Sequence, residues 1–189
     1  MVKNIFREDG AVIRRIIGYQ FAAAVMGVLL SSAAAQVKLL NLGTSILSAL
    51  FYCYFIYTAV GEAAAKDRLK VDSKRMAEDK TRGLKFALGA NLPNIVLGLS
   101  AFLFYMLGHV INSDGLKTVG FISAIIARFW QGMYNGIINY IIPLGLEGWA
   151  NVFSLLIYLA IIIPAFLVSH FAYHMGYNGN TILSIDKKK

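Results

Sequence analysis

Apolar residues run along this chain in five long blocks, at 16–35, 39–60, 84–110, 118–142 and 149–174, with short polar stretches between them. Each block meets the roughly 20 residues that an α-helix needs to cross the hydrocarbon of a bilayer. The first two are joined through "QVKL", too short for anything but a tight antiparallel hairpin. The pattern predicts an all-α integral membrane protein with one membrane domain over 1–189. Its core is a bundle of four transmembrane helices plus one amphipathic or re-entrant membrane-embedded segment at 118–142. Five transmembrane helices is the alternative. The expected order is a cytoplasmic basic N-terminus at 1–15, a transmembrane hairpin at 16–60 and a cytoplasmic charged helical loop at 61–83. Transmembrane helices at 84–110 and 149–174 then flank the embedded segment, and a basic tail follows at 175–189.

Composition supports this reading. Hydrophobic residues make up 58% and charged residues 15% of the 189, where a soluble domain carries about 25% charged. The net charge of +8 raises the question of nucleic acid. The basic residues sit beside apolar runs and form no stripe on a soluble face, so the expected partner is anionic lipid at the cytoplasmic face. The first apolar run is longer than the roughly 7–15 residues of a signal-peptide core. Its flank also contains Glu8 and Asp9, which predicts an uncleaved first helix. Cys53, the single cysteine, reads as a small packing residue.

Orientation follows from the basic residues. The stretch 61–85 holds eight of the eighteen Lys and Arg, among them Lys66, Arg68, Lys70, Lys74 and Arg75. The positive-inside rule places it in the cytoplasm. Lys3, Arg7, Arg14 and Arg15 join it if two crossings intervene. Four crossings put fifteen flanking basic residues on that side against Lys38 and Lys117, whereas five crossings give twelve against five. The four-crossing arrangement is therefore preferred, with both termini cytoplasmic. Within the loop, Glu62 with Lys66 and Glu78 with Arg82 stand at i,i+4 and predict helical ion pairs on a solvated extension of the second helix.

The polar residues of "ARFWQGMYNGIINYIIP" are the main candidate for chemistry. On one continuous helix Ala124, Arg128, Gln131, Asn135 and Asn139 would share a face. An arginine in the hydrocarbon centre costs about 2.5–3.5 kcal/mol on insertion scales, so Arg128 should meet headgroups, water or partners. Three readings follow, in order of preference. The segment lies at the outer surface with Phe129, Trp130, Tyr134 and Tyr140 in the aromatic belt. Or it spans, with its amides as interhelical glue. Or it walls a solute or anion pathway with Arg128 as the fixed charge. Asn91 and Asn94 flank Pro93 and predict a kinked packing seam or a second wall of the same cavity. Ala23, Gly27, Ser31 and Ala35 recur every four residues, a small-residue ladder that predicts a close helix contact within the chain or between chains. Ser45, Ser48 and Tyr52 form a short polar face that could meet it.

No catalytic constellation stands out. The acidic residues outside the loop, Glu8, Asp9, Asp114, Glu147 and Asp186, fall into no motif with a His or Ser. His170 and His174 have metal-ligand spacing. Four crossings, however, separate them from His109, so neither a metal nor a cofactor is expected.

The ending "FAYHMGYNGNTILSI" followed by a basic tail resembles the C-termini of small multipass membrane proteins of Gram-positive bacteria. The resemblance implies a bacterial cytoplasmic membrane protein and carries no activity. The expected function is that of a non-enzymatic accessory or assembly subunit, acting through helix faces and the basic loop. Its partner would be a second copy or another membrane protein subunit. The alternative is a small transporter or channel subunit lined by the 124–139 face.

Overall fold

The computed structural model describes residues 9–142 and 148–179. Among these residues the regular structure is helical: α1 Gly10–Ala33, α2 Lys38–Asp72, α3 Arg82–Val110, α4 Asp114–Trp130, a 3-10 turn Gly132–Tyr134, α5 Asn135–Ile141, α6 Gly148–Ser154, α7 Ile157–Ala160 and α8 Ile163–Tyr177. Four runs are long and apolar enough to cross a membrane: α1, α2, α3 and the run Gly148–Tyr177 formed by α6 to α8.

The helix ends have local causes. At the end of α2, Lys74 takes a left-handed φ of 57°. The Arg75 amide then donates back to the Lys70 carbonyl and the Lys74 amide to Val71, which caps carbonyls that the helix would leave open. Asn112 does the same after α3 with φ 54°, and the Ser113 amide returns to the Gly108 carbonyl. Asn tolerates this conformation better than most residues. The chain can therefore reverse sharply into α4.

Residues 9–19, 53–91 and 164–179 form one compact unit, and 20–52 with 92–142 and 148–163 form a second. In the second unit α4 runs antiparallel to α3. A Cβ at Gly108 would strike the Lys117 backbone, one at Gly120 would strike Tyr105, and Gln131 reaches Asn94. Asn94 lies sixteen residues before Val110, about 24 Å along the helix at 1.5 Å per residue. Beyond the 3-10 turn the chain folds back. Arg128 on α4 donates to the Asn139 side chain on α5, although eleven residues of straight helix would separate them by about 16 Å. Gly136 lies against the Asn41 carbonyl near the start of α2. Residues 114–141 thus form a helical hairpin with its tip at Gln131–Tyr134.

This hairpin corrects the expectation of one continuous polar face over 124–139. Glycine disfavours helix, and close packing accounts for both glycines here. A Cβ on Gly132 would come within 2.5 Å of the Ala24 carbonyl oxygen, and one on Gly136 within 2.0 Å of the Asn41 oxygen. The small residues of α4, Gly120, Ala124 and Ala127, are buried, while Phe121, Ile122, Ile125, Ile126 and Phe129 are exposed. The helix thus packs through its small residues and leaves its large apolar side chains on the outer face.

Candidate functional site

Each unit holds one polar cluster. In the second unit the tip of the hairpin closes a network of neutral groups. Gln131 Nε2 donates to the Tyr158 carbonyl at 2.9 Å and toward Asn94 Oδ1 at 3.4 Å. Asn94 Oδ1 also accepts from Gln20 Nε2 at 2.9 Å, and the Tyr52 hydroxyl donates to Gln20 Oε1 at 3.4 Å. All four side chains are buried. Asn94, next to Pro93 within the helix, joins this network, whereas Asn91 donates to the Ala87 carbonyl one turn back in its own helix. Nearby, Ser31 donates to Asn41 Oδ1 at 2.8 Å, and Ser45 Oγ accepts from the Gly136 amide at 2.6 Å.

The small-residue ladder of α1 meets the same hairpin. Ala23, Gly27 and Ser31 are buried, and a Cβ on Gly27 would lie 2.3 Å from the Met133 Cα. Ala35 lies exposed past the helix end. Of the polar stripe, Arg128 and Asn139 come together, and Gln131 joins Asn94. Asn135 is half-buried, with its Oδ1 unpartnered. Arg128 and Asn139 line a cavity of about 180 Å³ with Tyr105, Asn151, Ser154 and Tyr158, walled by apolar side chains. Arg128 makes no ion pair among the described residues.

The first unit holds charges instead. Arg82 is bonded to Asp9 and lies 3.2 Å from Asp67. Lys70 sits 3.3 Å from the same Asp67, and the Tyr173 hydroxyl donates to it at 3.3 Å. Asp9, Asp67 and Arg82 are buried. Arg15 reaches Glu62 at 2.6 Å. Asp9, Arg15, Glu62, Asp67, Lys70 and Arg82 line a cavity of about 210 Å³ together with Lys66.

Here too an expectation is corrected. Glu62 pairs with Arg15 rather than Lys66. Arg82 pairs with Asp9 and Asp67 rather than Glu78, because the helix ends at Asp72 and no longer aligns 78 with 82. The loop is also less solvated than a charged stretch suggests. Gly61, Ala63, Ala64 and Asp67 are buried, and a Cβ on Gly176 would lie 2.5 Å from the Gly61 oxygen. Arg68 stands 3.8 Å from Asp72, and Lys66, Arg68, Lys70, Lys74 and Arg75 are exposed. Burial acts to raise the Asp79 pKa, but hydrogen bonds from Lys85 and Thr81 hold it below its ordinary value.

His109 packs edge-on against Trp149 at 4.8 Å, and His174 faces Asn178. No group of three or more potential metal ligands occurs among the described residues. Gln20 and the Asp9–Asp67–Arg82 cluster escaped the sequence reading. A lone amide in a long apolar run marks the first. The second had only a weak signal, the "GEAAA" run that packs beside Asp67. Expected positions at Glu147 and in the tail beyond residue 179 lie outside the described residues. No known protein family, curated protein or solved structure matches this chain.

Proposed function

We propose that this is a multi-pass membrane protein of a bacterial cytoplasmic membrane, with four crossings and a re-entrant hairpin. In this reading it works without catalysis, as an accessory or assembly subunit. The observation that carries it is the use of the buried polar groups. Gln20, Asn94, Gln131, Ser31, Asn41 and Ser45 bond to one another or to backbone across the second unit. Groups spent in this way hold helices together. The exposed basic side chains of 66–75 are what remains to offer a partner, together with anionic lipid at the same face.

The test is the composition of the assembly. In mild detergent the protein should run as a complex with a second copy or another membrane subunit, read by native mass spectrometry. Lys66→Glu with Arg68→Glu should release the 20.8 kDa monomer. A monomer that conducts solute in proteoliposomes would overturn the proposal.

A second reading, a small transporter or channel subunit, draws on the Arg128 cavity. It requires flux that Arg128→Leu abolishes.

A further inference from the structure

We infer that the cavity at Arg128 is a binding site for the phosphate of an anionic phospholipid, which enters from the side of the protein. This inference rests on the membrane reading above and goes beyond it, because neither the accessory nor the pathway role requires a bound lipid. The charge comes first. Arg128 carries five N–H donors, and among the described residues its hydrogen-bond partner is the Asn139 oxygen. Among the described residues no carboxylate lines the cavity. A half-buried guanidinium in an apolar setting needs a counter-anion or water, and guanidinium geometry suits phosphate oxygens.

The rest of the wall fits the same ligand. Tyr105, bonded to Asn151 at 2.9 Å, and Ser154 bring hydroxyl and amide groups to the lining from helices other than that of Arg128. These neutral groups can hold the ester and glycerol oxygens of a headgroup without repelling a negative charge. A volume of about 180 Å³ equals about six waters at roughly 30 Å³ each. It has room for a headgroup and none for acyl chains.

The mouth decides the direction of entry. Phe121 and Ile125, both lining residues, are 59% and 52% exposed and belong to the apolar outer face of α4. A lipid lying against that face would have its headgroup within reach of the cavity. Chains that stay on the apolar surface while the phosphate turns in toward Arg128 satisfy both halves of the site.

Native mass spectrometry of the full chain, released from nanodiscs of phosphatidylcholine with an equal share of phosphatidylglycerol, tests this. Incorporation into the nanodisc is scored first, and its failure counts against the membrane reading and not the site. The expected result is retention of one phosphatidylglycerol in preference to phosphatidylcholine. Retention should fall at least tenfold in Arg128→Gln and persist in Arg128→Lys. Asn139→Asp supplies an internal counter-anion and should empty the site while leaving the cation in place. This second variant keeps the test decisive if Arg128→Gln folds poorly. Undiminished retention in Asn139→Asp, or equal retention of the two lipids by the natural chain, would overturn the inference. So would loss on Lys66→Gln and Lys70→Gln in place of the Arg128 variants. Displacement of the lipid by millimolar inorganic phosphate would show a site for a small soluble anion and refute the lipid.

Discussion

The two compact units solve the burial of polar groups in different ways. One uses full charges: Arg82 is held between Asp9 and Asp67, with Lys70 and Tyr173 on the second carboxylate. The other uses neutral amides and hydroxyls, Gln20, Asn94, Gln131, Ser31, Asn41 and Ser45, and admits one cation at the edge of a cavity. Desolvating a charge costs several kcal/mol per ion, against about 1–3 for a neutral polar group. Charges therefore fit where water or headgroups are within reach, as at the exposed ends of Lys70, Lys66 and Arg15. Amides fit where only protein surrounds them. Glycines follow the same division. Gly27, Gly132 and Gly136 bring backbones together around the neutral network, so dispersion and short hydrogen bonds supply what ion pairs supply elsewhere.

The largest expected effect is all-or-none. Single cysteines at Lys117, Glu147 and Lys188 in a Cys53→Ala background should label with a membrane-impermeant maleimide in intact cells at 117 and 147. Position 188 should label only after permeabilisation. Protection at 147 with reaction at 188 would mean that 118–142 crosses fully, and the neutral network would then belong to a spanning helix and not to a re-entrant hairpin.

Next comes the charged cluster. Arg82→Met leaves two buried carboxylates without their shared cation and should destabilise the protein by about 3–5 kcal/mol, read as a fall in melting temperature in detergent. Arg82→Lys should recover part of it. A loss no larger than that of an exposed residue such as Arg75→Met would put this cluster in water.

The close contact of the neutral unit should be nearly as sensitive. Gly27→Leu drives a side chain into the Met133 backbone, and overpacking of this kind costs about 1–3 kcal/mol. An unchanged melting curve would mean that α1 and the hairpin tip do not touch. A smaller effect is expected of Gln131→Leu, which removes its bonds to Tyr158 and Asn94. Interhelical bonds in membranes average about 0.6 kcal/mol, and a loss above that of Gly27→Leu would reverse the ranking of packing over amides.

The smallest effect concerns acid. The folded Asp79 pKa lies below its ordinary 3.8, so its contribution to stability is present at neutral pH and fades as pH falls through that lowered value. Asp79→Asn should cost a little at pH 7, and that cost should shrink as pH is lowered below the ordinary aspartate range, measured by denaturation across a pH series.

The four long apolar helices were legible because each is written as a continuous run of about the length that a bilayer demands, and the break before 118–142 was signalled by its arginine and amides. The ladder at Ala23, Gly27 and Ser31 was legible as a contact, since small residues every four positions have few other uses. Its partner was not, because nothing in the spacing on α1 names Met133. Helical periodicity put Arg128, Gln131, Asn135 and Asn139 on one face and could not see the hairpin. The turn at Gln131–Tyr134 arises from where Gly132 and Gly136 meet α1 and α2, a three-dimensional circumstance. The pairing of Arg82 with Asp9 and Asp67 was hidden for the same reason. Local spacing ranks the partners along one helix, but a buried charge takes the opposite charge that folding brings nearest: here Asp9, 73 residues away, and Asp67 across a chain reversal. Composition and period set which segments leave water; the tertiary structure alone chose which polar groups face one another once they had left it.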